Sequence, residues 1–186
     1  TDATSDTISA STLSADVTID LGTNTVSGTA VGLTYVSQFE NVTGGSGNDT
    51  ITGDANDNSL NGGAANDTVS GAAGNDTIVG GLGNDNLDGG ADNDTFTEVA
   101  SNGSDTIEGG ADTDTVNYDD NTSSSALTVN LNVGDTTVVR GADTDTLTNV
   151  ERIVGTDATT DTINATNQTG DISIDLSTGT ASGVST

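Results

Sequence analysis

The chain has 186 residues and a formal net charge of −27; Arg140 and Arg152 are its only basic residues, and Lys, His, Cys, Met, Trp and Pro are absent. Such a charge repels nucleic acid and anionic membrane surfaces, the lack of cysteine excludes disulfides and thiol chemistry, and no apolar run approaches the ~20 residues of a membrane span. Four aromatics (Tyr35, Phe39, Phe96 and Tyr118) leave too little apolar surface for a conventional globular core. The acid is one-sided, with 25 Asp against 4 Glu, and Asp is short enough for tight turns and a hard oxygen ligand. The charge reads as a supply of ligands whose counterion is a metal.

Residues 1–43 are rich in Val, Ile and Thr. DVTIDLGTNTVSG (16–28) alternates apolar and polar residues, so the segment is expected to form strand-rich flanking coils of a β-solenoid.

Residues 44–118 run on a nine-residue clock. The units are GGSGNDTIT (44–52), GDANDNSLN (53–61), GGAANDTVS (62–70), GAAGNDTIV (71–79), GGLGNDNLD (80–88) and GGADNDTFT (89–97); an eleven-residue unit, EVASNGSDTIE (98–108), precedes GGADTDTVN (109–117). The eighth position is apolar throughout: Ile51, Leu60, Val69, Ile78, Leu87, Phe96, Ile107 and Val116. A polar-apolar-polar triplet such as Thr50-Ile51-Thr52 makes a very short strand with one inward side chain. One unit then supplies a turn and a strand, and two units make a full coil. Ile51, Val69 and Leu87 should stack as one ladder, with Leu60, Ile78 and Phe96 as the ladder facing it.

The glycines of the turns are Gly44, Gly45, Gly47, Gly62, Gly63, Gly71, Gly74, Gly80, Gly81, Gly83, Gly89, Gly90, Gly109 and Gly110. They permit positive φ and leave backbone carbonyls free to face an ion. The sixth position adds Asp49, Asn58, Asp67, Asp76, Asp85, Asp94, Asp105 and Asp114. Carbonyls and carboxylates together suit calcium, which takes six to eight oxygens at about 2.3–2.6 Å; without His or Cys, zinc, copper and iron are poorly served. Roughly six ions would reduce the charge to about −15. Without them, acidic edges would face each other at a strand spacing of ~4.8 Å, so a disordered chain that folds on calcium is expected.

This run resembles the repeats-in-toxin (RTX) nonapeptide family, G-G-x-G-x-D-x-U-x with U apolar. The resemblance covers 44–97 closely and 98–118 with one insertion. It implies an all-β, right-handed parallel β-roll with several calcium ions in its turns, and secretion by a type I system. Carried over residue by residue, it gives the ion to Asp49, Asp67, Asp76, Asp85, Asp94 and Asp114, together with turn carbonyls. Asp105 matches less closely, because Ser101-Asn102-Gly103-Ser104 lacks the leading glycines. The second unit has Asn58 at position six and Asp57 at five, so that site is either weakened or served by Asp57. Asp92 and Asp112 replace the fourth-position Gly, and whether they join an ion or face solvent stays open.

Residues 119–186 return to strand-rich flanking coils, and 156–186 repeat 1–31 with sixteen identities in 31 positions. A partial copy lies at 126–155: TVNL (128–131) matches TIDL (18–21), and VERIVG (150–155) matches FENVTG (39–44). The β architecture is expected to continue here in wider coils with fewer ions, and Asp6, Asp145 and Asp161 are secondary ligand candidates. The offset of 155 points to a period of a larger tandem array, so self-association or tandem neighbours are the expected partners.

No Ser-His or Cys-His pair is possible, and aromatic platforms for sugars are scarce, so no enzymatic activity is expected. The combined reading is a secreted, cell-surface, calcium-binding structural repeat of a surface layer (S-layer), fibre or large adhesin. Two alternatives are a folding and secretion accessory domain of a secreted enzyme, and an ice-binding solenoid using the Thr-rich seventh position.

Overall fold

The computed structural model describes residues 6–28, 38–99, 102–118, 126–131, 136–155, 162–165 and 173–175. Its framework follows from the triplets around position eight. Each has polar residues on either side of one apolar residue, so the pleat turns the apolar side chain inward and the others outward. In Thr50–Thr52 the outer residues are exposed and half-buried, while Ile51 is buried.

Before the regular units come β1 (Thr7–Ser9), β2 (Val17–Asp20), β3 (Thr25–Gly28) and β4 (Asn41–Thr43). The nonamers supply β5 (Thr50–Thr52), β6 (Ser59–Ala64), β7 (Thr68–Ala73), β8 (Thr77–Leu82), β9 (Asn86–Ala91), β10 (Thr95–Thr97), β11 (Thr106–Gly110) and β12 (Thr115–Asn117). After them follow β13 (Leu127–Leu131), β14 (Thr136–Arg140), β15 (Asp143–Thr148), β16 (Arg152–Val154), β17 (Thr162–Ala165) and β18 (Ser173–Asp175). There is no helix among the described residues, and so no helix that could cross a membrane.

The strands form two sheets. The eight-stranded sheet runs β1-β4-β6-β8-β10-β12-β16-β18, and the ten-stranded sheet runs β17-β13-β14-β15-β11-β9-β7-β5-β2-β3. Within the nonamers the pairing is parallel and strictly in register: Ile51 pairs with Val69 and Val69 with Leu87, while Leu60 pairs with Ile78 and Ile78 with Phe96. This is the parallel β-roll expected from two units per coil. The ladders extend to Ile107 and Leu147 on one wall and to Val116 and Ile153 on the other. All of these apolar residues are buried, and they form one continuous core.

The flanks depart from the expected wider coils. In the ten-stranded sheet they are interrupted by antiparallel pairing: β2 with β3, β13 with β14, and β14 with β15. The reason is local turn chemistry. Between β2 and β3, the Thr23 amide donates to the Asp20 carboxylate and Asn24 takes a left-handed φ of 58°, closing a hairpin. Between β14 and β15 the two-residue loop Gly141-Ala142 begins with φ of 70° at Gly141, as tight hairpins demand. The repeated flanks also land on different walls. β1 lies in the eight-stranded sheet and β2 in the ten-stranded one, whereas their sequence counterparts β17 and β18 occupy the opposite sheets.

Left-handed backbone falls at positions two and four of the unit. At position two Gly63, Gly81, Gly90 and Gly110 have φ of 107° to 113°, and Ala72 sits there at 83°. A methyl group on Gly81 would lie 2.1 Å from the Gly63 carbonyl oxygen of the preceding coil. Ala72→Gly should therefore stabilise the calcium-loaded protein by up to about 1 kcal/mol, by relieving left-handed strain. Gly81→Ala should destabilise it markedly. Denaturant unfolding in saturating calcium checks both, and equal effects of the two substitutions would contradict this account of position two.

Candidate metal centre

The position-six side chain sits at the entry to each strand, and its two carboxylate oxygens have different fates. Oδ1 accepts the backbone amide of the equivalent residue one coil away. On one edge the Asp49 amide donates to Asp67 Oδ1 at 2.7 Å, Asp67 to Asp85 at 2.8 Å, and Asp85 to Asp105 at 2.8 Å. On the other edge Asn58 donates to Asp76 at 2.7 Å, Asp76 to Asp94 at 2.8 Å, and Asp94 to Asp114 at 2.8 Å. These are charge-assisted bonds to a buried acceptor, stronger than a neutral pair.

Oδ2 has no such partner in most units. The Oδ2 atoms of Asp67, Asp76, Asp85, Asp94 and Asp114 are buried without a hydrogen bond. A buried carboxylate oxygen left unpaired is strongly unfavourable, and its recurrence at one position of a repeat calls for a ligand. The first glycine of each unit makes room for this atom. A methyl group would come within 2.4 Å of Asp85 Oδ2 at Gly80 and within 2.2 Å of Asp76 Oδ2 at Gly71. Position one therefore requires glycine for close approach, while positive φ belongs to positions two and four.

The electrostatics agree with a site that takes a cation. Burial, followed by the neighbouring carboxylates, pushes Asp67 and Asp76 up to about 7 and Asp94 and Asp114 up to about 6. Asp85 is raised by burial as well. Among the described residues, no three acidic side chains gather into a metal-holding group. Each turn instead offers one carboxylate oxygen in a glycine-lined bend, so backbone carbonyls must complete any coordination shell. Hard oxygen donors of this kind suit calcium.

A family model described as the RTX calcium-binding nonapeptide repeat, in four copies, matches residues 39–69, 62–96 and 99–122. The chain carries RTX repeats. Its metal is calcium, because these repeats bind calcium ions. The match covers under half of the chain, and no curated protein matches it.

Within the RTX repeats, the structure brings Asp49, Asp67, Asp85 and Asp105 onto one edge and Asn58, Asp76, Asp94 and Asp114 onto the other, all buried. Asp105 keeps the ladder contact despite its irregular turn. Its Oδ2, however, accepts from Asn102 Nδ2 at 3.1 Å. In the first two units the second-position amide fills the remaining oxygen: Gly45 donates to Asp49 Oδ2 at 2.6 Å, and Asp54 donates to Asn58 Oδ1 at 2.8 Å. Asp57, Asp92 and Asp112 are exposed. Asp57 Oδ1 accepts the Asn75 amide, and Asp92 and Asp112 occupy the left-handed fourth position, at 75° and 78°. Asp145 continues the ladder, accepting the Asp105 amide at 2.9 Å. The Asp6 amide donates to Glu40, and Asp161 lies outside the described residues.

Two features escaped the sequence reading. Position five forms an outer ladder: the Asn66 amide donates to Asn48 Oδ1, Asn84 to Asn66, and Ser104 to Asn84. The regular Asn at that position was the available signal. In addition, Glu151 Oε2 takes the place of an aspartate by accepting the Asp114 amide at 2.9 Å, as Glu40 does for Asp6 at 3.0 Å. The match of FENVTG to VERIVG contained this pair.

The raised carboxyls dictate a pH response. Each binds its proton more tightly in the fold than in the unfolded chain, where the value is about 4. Metal-free protein therefore has this contribution in full below about pH 4 and loses it as the pH climbs through about 6 to 7. In chelator, far-UV circular dichroism should show more β structure at pH 4 than at pH 8. Calcium, which needs the deprotonated oxygen, should bind more weakly as pH falls. More β structure at pH 8 than at pH 4 in chelator would sink this account.

Proposed function

We propose that this chain is an extracellular calcium-binding structural module of a surface layer, fibre or large adhesin, folding and assembling as calcium fills its turns. The observation that supports it best is the row of buried, unpartnered Oδ2 atoms on Asp67, Asp76, Asp85, Asp94 and Asp114. These oxygens would hold the ions, with carbonyls of turn residues such as Gly62, Gly71, Gly80 and Gly89. Bound calcium supplies the positive charge that two edges of stacked carboxylates require. The chain's own part is to align one oxygen per unit, exclude water from it, and tie successive coils through Oδ1.

On this reading residues 44–118 are the calcium-dependent segment, and 1–43 and 119–186 are coils that continue it. The role is structural, not catalytic. The chain has no His or Cys to build a Ser-His or Cys-His pair, and the position-six acids tie successive coils through Oδ1. Secretion, typical of RTX proteins, fits a switch of this kind: low cytosolic calcium leaves the chain extended, and millimolar calcium outside folds it. The ice-binding alternative is the weaker reading. The seventh-position ladder runs Thr50, Thr68, Asn86, Thr106 on one wall, where Asn86 breaks the hydroxyl row, and Ser59, Thr77, Thr95, Thr115 on the other, where Thr95 and Thr115 are half-buried.

Far-UV circular dichroism during calcium titration at pH 8, with magnesium as control, tests the reading. A coil spectrum in chelator should turn to β at submillimolar to millimolar calcium, and Asp76→Ala should shift the midpoint upward. Electron microscopy at the same calcium level should then show filaments or lattices. A full β spectrum in chelator at pH 8 would remove the switch, and monodisperse single particles at saturating calcium would remove the assembly role.

A further inference from the structure

The duplicated flanks place the same strands in two surroundings. β17 and β18 are the sequence counterparts of β1 and β2 at the offset of 155, with Ile163 matching Ile8 and Ile174 matching Ile19. β17 pairs in parallel with β13, Ile163 opposite Val129, and β18 pairs in parallel with β16, Ile174 opposite Ile153. Val129, Ile153 and Ile163 are buried, and Ile174 packs against the same core. β1 and β2 pair instead with strands that follow them, Ile8 opposite Val42 of β4 and Ile19 opposite Ile51 of β5.

In a solenoid the earlier and later coils lie on opposite edges of a strand, as β5 and β9 do on β7. β13 and β16 are earlier neighbours, whereas β4 and β5 are later ones. The edge that β13 and β16 fill on β17 and β18 therefore corresponds to the outer edge of β1 and β2. On β1 that edge is the end of the eight-stranded sheet, and on β2 it holds β3. β3 is a slight covering: four residues in antiparallel pairing, with only Val26 buried. Val26 stands opposite Ile19, the place that Ile153 takes opposite Ile174. Where β3 reads TVSG (25–28), the duplicate reads TASG (180–183), so the copy seated on β16 has Ala181 in place of Val26. An open strand edge is a template for pairing, and a short hairpin strand blunts it.

We propose that the outer edge of β1 and β2 is a docking surface for β13 and β16 of a second copy of this chain, opened when β3 swings aside. Residues 1–31 of one copy take the place of residues 156–186 of the other, repeating the pairing of β17 with β13 and of β18 with β16. The exchange trades one segment for a near-equivalent one, and Ile153 replaces Val26 beside Ile19. Arg152 of one copy then faces Thr18 of the next, with Asp16 and Asp20 at the diagonal positions, so a basic residue meets an acidic end. Successive periods within one chain make the same contacts without exchange. The inference rests on the assembly reading above and names the edge by which copies join.

The chain has no cysteine, so introduced pairs report cleanly. Thr18 and Ser27 are exposed and opposite each other on β2 and β3, at a spacing that suits a disulfide. Thr18→Cys/Ser27→Cys, oxidised by glutathione disulfide at a dilution where the protein is monomeric, should keep the parental circular dichroism in calcium. It should lose the filaments or lattices seen by electron microscopy, and reduction should restore them. Separately, an equimolar mixture of Thr18→Cys and Arg152→Cys proteins, oxidised in calcium, should give mixed dimers that outnumber both same-variant dimers together. Should Arg152→Cys alter the fold, Asp20→Cys with Val154→Cys reads the same register.

Oxidised hairpin protein that folds and assembles like the parent overturns the proposal. So does a merely statistical mixture of dimers in protein that assembles. If the locked hairpin does not fold, the mixed pair decides alone. A parent that stays monomeric in saturating calcium removes the assembly role and this junction with it, whereas assembly indifferent to the lock removes only the junction.

Discussion

The structure depends on the way each position-six carboxylate divides its two oxygens. Oδ1 is spent on a backbone amide one coil away, which sets the register of the stack. Oδ2 is left inside the turn with nothing to bond. The first bond requires the acid to be buried, and burial is what makes the second oxygen so unfavourable without a cation. Glycine at position one follows from the space that Oδ2 occupies. One side chain thus fixes the repeat length, the composition of the turn and the need for metal.

The apolar contribution is correspondingly thin. Each half-coil delivers a single core residue, so the seam between the sheets is one ladder facing another. Such a core gains stability by repetition and by hydrogen bonds along the stack, as in other solenoids where each coil contacts its neighbours. In the flanks the logic changes. Hairpins replace parallel coils in the ten-stranded sheet, and Tyr118, Arg140 and Asp145 fill the interior with a hydrogen-bonded polar group in place of a repeated turn. The parallel pairs within the nonamers join residues eighteen apart, whereas the hairpins of the flanks join near neighbours such as Arg140 and Asp143.

The wall ladders were legible because period-two alternation and a nine-residue clock leave no freedom in assigning Ile51, Val69 and Leu87 to one side. The position-six acids were legible for the same reason. What the sequence concealed was how their atoms are divided, since residue type does not say which oxygen meets an amide. It also concealed the reason for each glycine: Gly80 is needed for contact and Gly81 for conformation, yet both are written as the same letter. The hairpin at Leu21–Asn24 carries a turn signal in Gly22-Thr23-Asn24, but residue type alone does not separate a hairpin from a turn between stacked coils. Glu40 and Glu151 were hidden by being glutamates in a pattern defined by aspartate.

The placement of the duplicated flanks has a geometric consequence. Between β1 and β17 the chain completes an odd number of half-revolutions, so the same sequence meets opposite walls. A solenoid extended by further periods of this kind would place successive copies with their faces exchanged. Any surface feature encoded once per period would then appear alternately on the two sides, and the true structural repeat would span two periods. Such an object is a ribbon with two equivalent faces, to which a neighbour can attach from either side.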